Sequence, residues 1–171
     1  MNMYDVTVPQ LIKMLKNADR WMAAAIRHAE NKKFDVNNLV KFRLAPDQFS
    51  FDQQIQTACD VAKYIPARLT GKLQDMPSHP YNEKTFDELR ALIASVISHL
   101  ETFKPEEFSD SEARKISLSF MNGKWMRGDE YVIQFSGPNF YFHLVTAYEI
   151  LRHNGVELGN SDYIGGVPLR D

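Results

Sequence analysis

The sequence predicts an all-α protein, a four-helix bundle, with a small β-hairpin between the third and fourth helices. Four segments carry apolar residues every three or four positions, the spacing that places them on one buried helix face. Three of these segments begin with a capping-box pair, a Ser or Thr followed three residues later by Glu or Gln. Between the third and fourth segments, apolar residues recur at alternate positions, as in β-strands. The 171 residues are enough for one well-formed core, and we predict a single domain over 1–171.

The first helix is predicted to begin at Thr7, which can form a capping box with Gln10 and places Pro9 in the first turn. Its apolar stripe alternates steps of four and three residues: Leu11, Leu15, Ala18, Met22, Ala25 and Ala29. This is the spacing of a helix-bundle seam. We expect the helix to end within 30–33 and a connector to follow over 34–46.

The second and third helices carry the same signals. Ser50 and Gln53 form the capping box of the second helix, and Thr85 pairs in the same way with Glu88 at the third. Their stripes are Phe51, Ile55, Ala58, Ala62, Ile65 and Leu69, then Phe86, Leu89, Ile93, Val96, Leu100 and Phe103. Pro66 lies inside the second stripe and is expected to kink that helix or to end it about one turn early.

The predicted hairpin lies within residues 104–137. Six apolar residues alternate there in two runs: Ile116, Leu118 and Phe120, then Tyr131, Ile133 and Phe135. The tight-turn pair Asn122-Gly123 lies between the two runs. The turn is expected either at this pair or in the longer loop 121–130, and the sequence does not decide between them.

The fourth helix is predicted between Pro138 and Gly155, since proline suits a helix start and glycine the left-handed residue after a helix end. Its stripe is Phe140, His143, Ala147, Ile150 and Asn154. His143 on this stripe is the most informative residue, because a core histidine is either a hydrogen-bonded structural group or part of a site. The tail after Gly155 is expected to be coil.

Composition and charge exclude several classes of function. A net charge of -2 without a basic stripe predicts no nucleic-acid partner. No apolar stretch is long enough to span a bilayer, so no membrane partner is expected. The single cysteine, Cys59, excludes an intrachain disulfide and is expected to be a small core residue. With no secretory signal visible at the start, we predict a cytoplasmic protein.

Three blocks of residues resemble a known family. They are RLAPD at 43–47, Gln54 with Ala58-Cys59-Asp60, and PNFYFH at 138–143 with RHNG at 152–155. Together they are similar to an uncharacterised bacterial branch of the DinB-like (DinB/YfiT) metalloenzyme superfamily. The resemblance implies a DinB-like four-helix bundle, often dimeric, with a divalent metal held by three histidines. One of those lies on the second helix and two lie four residues apart on the last helix; some relatives are thiol-dependent transferases or isomerases.

The resemblance implies an incomplete metal site in this chain. His143 stands at the first histidine of the last helix, but Ala147 stands four residues on and cannot bind a metal. Gln54 is the nearest match to the histidine of the second helix. His143 and Gln54 are therefore the candidate ligands for a Zn or Ni ion at the family's positions, and no metal is expected to be held tightly.

Three interpretations of the function remain open. The favoured one is a small-molecule-binding protein or degenerate enzyme, with a ligand pocket lined by Gln54, Asp60, Tyr141 and His143 and with His143 as the candidate catalytic residue. The second is a divalent-metal-dependent enzyme, such as a thiol transferase, using His143 with Gln54 or a carboxylate. The third is a structural or interaction module that works as a dimer.

We also predict the partners or the exposure of several other side chains. If His143 is only a core residue, its ring should bond to Gln54, Thr57 or Tyr141. We expect a homodimer, and partly exposed tryptophans would suit its interface, namely Trp21 and Trp125. A histidine in a proline-bounded loop, His79, is expected to be exposed.

Overall fold

The computed structural model describes residues 2–170. Its long helices are α1 (Met3–Lys32), α2 (Phe51–Thr70), α3 (Phe86–Leu100) and α5 (Gly137–His153). Between α3 and α5 lie the strands β1 (Lys115–Ile116) and β2 (Met126–Arg127), the short helix α4 (Gly128–Glu130) and a π-helical segment (Tyr131–Ser136). A last short helix is α6 (Asn160–Ile164). The predicted fold, a mostly helical bundle with a small hairpin before its last long helix, is confirmed.

Helix α1 begins earlier than predicted. Asn2 caps it, accepting a hydrogen bond from the Tyr4 amide at 2.7 Å, and Asp5 completes the capping box. Thr7 lies inside the helix, where its hydroxyl donates to the Met3 carbonyl. The prediction of a start at Thr7 was wrong because asparagine caps a helix as well as serine or threonine does.

The capping boxes predicted for α2 and α3 are both present, at Ser50–Gln53 and Thr85–Glu88. Pro66 does not end α2, which continues to Thr70 and stops at Gly71 in the left-handed conformation. The capping side chains are close in sequence to the amides that they bind, so these helix starts could be predicted locally.

The hairpin differs from the prediction in its second strand. Lys115 pairs with Arg127 and Ile116 with Met126, with the turn at Asn122-Gly123, where both residues have positive φ. The run 131–135, predicted as a strand, is instead π-helical. Its residues do not alternate between two sheet faces: Tyr131 is buried, whereas Ile133 is 71% exposed.

The core lies between α1, α2, α3 and α5, with α2 packed against both α3 and α5. Its largest fully buried side chains include Trp21, Tyr131, Phe51, Phe86, Phe108 and Phe140. Trp21 was expected to be partly exposed and is not, because α6 covers it where the sequence predicted coil. Trp125 is exposed, as predicted. No helix within 2–170 has the length and hydropathy to cross a membrane.

Candidate functional site

The candidate site is centred on His143 of α5 and Gln54 of α2. His143 Nδ1 lies 2.7 Å from Gln54 Oε1, in the buried interface between the two helices. Only 8% of His143 is exposed. The ring therefore bonds to one of the three partners expected for a core histidine.

The hydrogen bonds of Gln54 determine the tautomer of His143. The Gln54 amide nitrogen donates to the Phe49 carbonyl at 3.2 Å, which leaves its oxygen as the acceptor facing the ring. His143 Nδ1 must then carry the proton, and Nε2 carries the lone pair. Burial lowers the pKa of His143 below its ordinary value of 6.5, so the ring is neutral at physiological pH.

Two aromatic side chains flank the imidazole of His143. Phe49 stacks on it with ring centroids 6.2 Å apart, and Phe142 meets it edge-on at 5.2 Å. Both are about half exposed, at 48% and 51%. His143 Nε2 makes no hydrogen bond to any residue of the described chain. The site thus presents one acceptor nitrogen beside two aromatic faces.

The residues around His143 do not fit a three-histidine metal centre. Ala147, one turn further along α5, is fully buried and has no donor atom. The oxygen of Gln54 is already bonded to the imidazole. Within residues 2–170, no group of three or more His, Cys, Asp or Glu side chains is placed to hold a metal ion. The ligand set expected for Zn or Ni is not assembled here.

Tyr141 lies on a different side of α5 from His143. Two residues along a helix correspond to a rotation of about 200°. The Tyr141 hydroxyl accepts a hydrogen bond from Gln10 of α1 at 3.0 Å. Its ring lines a mainly apolar cavity of about 270 Å³ between α1 and the start of α5, together with Leu11 and Phe140.

Asp60 is also separated from the His143–Gln54 pair. Its Oδ1 accepts a hydrogen bond from the Tyr81 hydroxyl at 2.6 Å and lies 3.8 Å from Lys63 Nζ. Burial, followed by the bond to Asp60, raises the pKa of Tyr81. Asp60 lines a cavity of about 360 Å³ between α2 and the hairpin. Of the four predicted pocket residues, the structure brings His143 and Gln54 together and places Tyr141 and Asp60 at two separate cavities, neither of which is lined by His143 or Gln54.

Comparison with known proteins identifies the family to which this chain belongs. A family described as "Domain of unknown function (DUF1993)" matches residues 3–164. This chain belongs to the DUF1993 family. It is also similar to the crystal structure of a DinB family member protein from Shewanella denitrificans, at 47% sequence identity and a TM-score of 0.95. That similarity covers 99% of this chain and 95% of the other, and it confirms the resemblance to DinB-like proteins. No curated protein matches the chain.

The DUF1993 chain has a buried lysine that sequence reasoning missed. Lys63 Nζ donates to the Pro77 carbonyl at 3.1 Å and lies 3.0 Å from His79 Nδ1. Burial lowers the pKa of Lys63. His79 Nε2 lies 3.0 Å from the Ser95 hydroxyl, so His79 is half-buried rather than exposed. These contacts join the α2–α3 loop to both helices. No sequence pattern indicates that a loop carbonyl would bind Lys63.

Cys59 of this DUF1993 protein is fully buried on α2. Burial raises the pKa of its thiol, which keeps the group protonated. Cys59 is therefore a small core residue, as the sequence predicted, and not a reactive nucleophile.

Proposed function

We propose that this DUF1993 protein binds a small organic molecule at His143 and does so without a tightly held metal ion. The observation that supports this most is the unpaired Nε2 of a buried, neutral imidazole whose other nitrogen is bonded to Gln54. Within residues 2–170, the buried side-chain atoms without a hydrogen-bond partner are Gln48 Oε1, His99 Nε2 and Arg114 Nε, so His143 Nε2 is open to solvent, where a ligand can reach it. As part of the same proposal we place the protein in the cytoplasm, where its free Cys59 would stay reduced.

The chemistry of the site suggests what the molecule should carry. A neutral Nε2 accepts a hydrogen bond and does not donate one. Phe49 and Phe142 offer aromatic faces beside it, which favour a planar apolar group. A ligand with a hydroxyl or N–H next to a ring would satisfy both. If the bound group is acidic enough, the same nitrogen would accept its proton, which is the step that a degenerate enzyme of this class would retain.

The first test is the protonation state of His143. At about pH 6, ¹⁵N NMR is expected to show a smaller protonated fraction for His143 than for an ordinary histidine, and at about pH 7.5 a neutral ring with its proton on Nδ1. Gln54→Glu would place a carboxylate beside Nδ1 and is expected to raise the pKa of His143. Phenol, as a probe, is expected to shift the wild-type Nε2 signal with a Kd on the order of 1 mM, because it offers one donor and one ring.

One control for this test changes the probe, and the other changes the residue. Anisole has the ring without the donor and is expected to leave Nε2 unshifted, and His143→Phe is expected to abolish the response to phenol. An imidazolium at pH 7, or equal shifts with phenol and anisole, would contradict the proposal. A stoichiometric Zn or Ni content in tag-free protein, lost in His143→Phe, would favour the metal-dependent transferase instead.

A second candidate function is a dimeric interaction module, and the exposed aromatic side chains that flank His143 favour it. We call the exposed apolar patch Phe49, just before α2, together with Phe142 and Val145, which lie three residues apart on one exposed face of α5. Clustered apolar side chains on a soluble domain are typical of interaction surfaces. A second copy of the chain, offering the same patch, would form a two-fold interface.

Val145→Glu is expected to convert a homodimer to a monomer, because it puts a charge into that interface without touching His143. Analytical ultracentrifugation at micromolar concentration measures the change. Leu169→Glu, at an exposed apolar position in the tail, is the matched control and should leave the dimer intact. A wild-type protein that is monomeric under these conditions would contradict the module and leave small-molecule binding as the proposal.

A further inference from the structure

The second cavity, of about 360 Å³, contains an arginine that the proposed function does not use. It lies between α2, the hairpin and the π-helical segment, and we call it the Arg68 cavity. Its walls include Asp60, Tyr64, Arg68, Phe120, Tyr131 and Phe135. None of these residues belongs to the His143 site.

Arg68 has a charge that no carboxylate balances within residues 2–170. Its Nη1 donates to the Tyr131 hydroxyl at 2.9 Å, and its guanidinium lies 4.2 Å from the centre of the Tyr64 ring. The remaining N–H groups have no acceptor in the described chain. By contrast, Arg90 pairs with Asp19 across a different cavity. A guanidinium held by aromatic rings, with free donors, is suited to a carboxylate from a ligand.

The walls on either side of Arg68 are aromatic. Tyr64 and Tyr131 both lie against the guanidinium. Phe135 packs on Tyr131 at 6.2 Å and on Phe120 of the hairpin at 5.5 Å, and Phe120 is largely exposed at the rim. Such walls favour a flat apolar group next to the charge.

The π-helical segment places Tyr131 and Ser136 in this cavity. Ser136 donates its hydroxyl to the Tyr131 carbonyl at 3.0 Å, and the Gly137 amide donates to the Val132 carbonyl five residues back. A Cβ at Gly137 would lie 2.6 Å from that carbonyl, so the wide turn depends on glycine there. π-helical turns are rare, because their backbone geometry is less favourable than that of an α-helix. Those that do occur often lie at functional sites.

Asp60 gives the far edge of the cavity an acceptor. It lies eight residues before Arg68 on α2, a rise of about 12 Å. Its Oδ1 is bonded to Tyr81, and its second oxygen accepts no hydrogen bond from residues 2–170. A ligand lying along α2 would therefore meet a cation at one end and a carboxylate at the other.

We propose that the Arg68 cavity binds a small aryl monocarboxylate, with the carboxylate on the Arg68 guanidinium and a hydroxyl or amine of the ligand towards Asp60. A phosphate ester fits less well, because its dianion would face a single guanidinium, which balances only one of its two charges. The site is separate from His143, so it goes beyond the function proposed above.

The test uses para-hydroxyphenylacetate as the probe, titrated by calorimetry into the full-length His143→Phe protein, because the phenol group of the probe is also a ligand for the proposed His143 site. Binding with a Kd on the order of 1 mM or tighter is expected. The neutral para-hydroxyphenylacetamide and Arg68→Gln are each expected to weaken binding by about tenfold or more, because a charge-assisted hydrogen bond is lost. Asp60→Asn should reduce the preference for this probe over phenylacetate.

Matched controls distinguish a loss of binding at the Arg68 cavity from a loss of folding and from binding at the His143 site. Arg90→Gln, made in the same His143→Phe background, removes an arginine at a different cavity and should bind the probe as that background does. If Arg68→Gln does not fold, Arg68→Lys keeps the charge without the planar fork and is expected to bind more weakly. The proposal is overturned by equal binding of acid and amide, by tighter binding of phenyl phosphate, or by no binding at millimolar concentration.

Discussion

Trp21→Ala is expected to lower the free energy of unfolding by about 3 to 5 kcal/mol, the cost of deleting a fully buried large aromatic side chain. Trp21 is 1% exposed. Its ring stacks on Tyr163 of α6 at 5.3 Å and meets Tyr148 of α5 edge-on at 5.4 Å. Its indole N–H donates to the Asp162 carbonyl at 2.9 Å. The loss should therefore fall on the core and on the docking of α6 together.

Urea unfolding monitored by circular dichroism measures the change, and two variants refine it. Trp21→Phe keeps part of the ring without the indole N–H and should lose less than alanine does. Trp125→Ala, at a position 51% exposed, should stay within about 0.5 kcal/mol of the wild type. It also leaves Trp21 as the sole tryptophan, since the chain has 2 tryptophans. An unchanged midpoint for Trp21→Ala would mean that the indole is not packed as described.

Gly128→Ala is expected to destabilise the protein by about 3 kcal/mol or to prevent folding, because the added methyl has no space. A Cβ at Gly128 would lie 1.9 Å from the Ser111 carbonyl oxygen and 3.0 Å from a Leu69 methyl. Ser111 cannot easily move, since its amide bonds to the Phe108 carbonyl and its own carbonyl accepts from the Arg114 amide. The contact joins the start of α4 to the loop before the hairpin.

Gly166→Ala is the control for this substitution. Gly166 is exposed, and a Cβ there would meet nothing within 4 Å. The same change of residue type should therefore alter the thermal midpoint little at position 166 and lower it by several degrees or more at position 128. Equal effects at both positions would show that backbone entropy, and not the close approach to Ser111, controls the result.

The helix starts of α2 and α3 could be predicted because their capping side chains act over three residues. The turn at Asn122-Gly123 was one of the two alternatives predicted for the hairpin. It is also a local feature, since this pair adopts positive φ at low cost. The strand predicted at 131–135 was wrong, because a short alternating pattern does not specify a strand without a pairing partner. Met126 and Arg127 take that pairing position, and the next residues turn into helix.

The candidate site was predicted in part. The apolar stripe placed His143 in the interface with α2, and Gln54 is among the partners expected for it. Tyr141 and Asp60, the latter expected at the edge of the second helix stripe, were assigned to the same pocket as His143 and Gln54. Helix rotation separates them, since neighbours on one helix face must lie three or four residues apart.

The sequence by itself determined the four amphipathic helices and most of their ends, and it places Ala147, which cannot bind a metal, four residues after His143. These features depend on local spacing and on residue identity. Only the tertiary structure decided that Gln54 holds His143 in one tautomer, that Lys63 binds a loop carbonyl, and that Arg68 lacks a carboxylate partner. The physical reason is that a polar group's partner is selected by the relative rotation and register of packed helices, which no local pattern encodes.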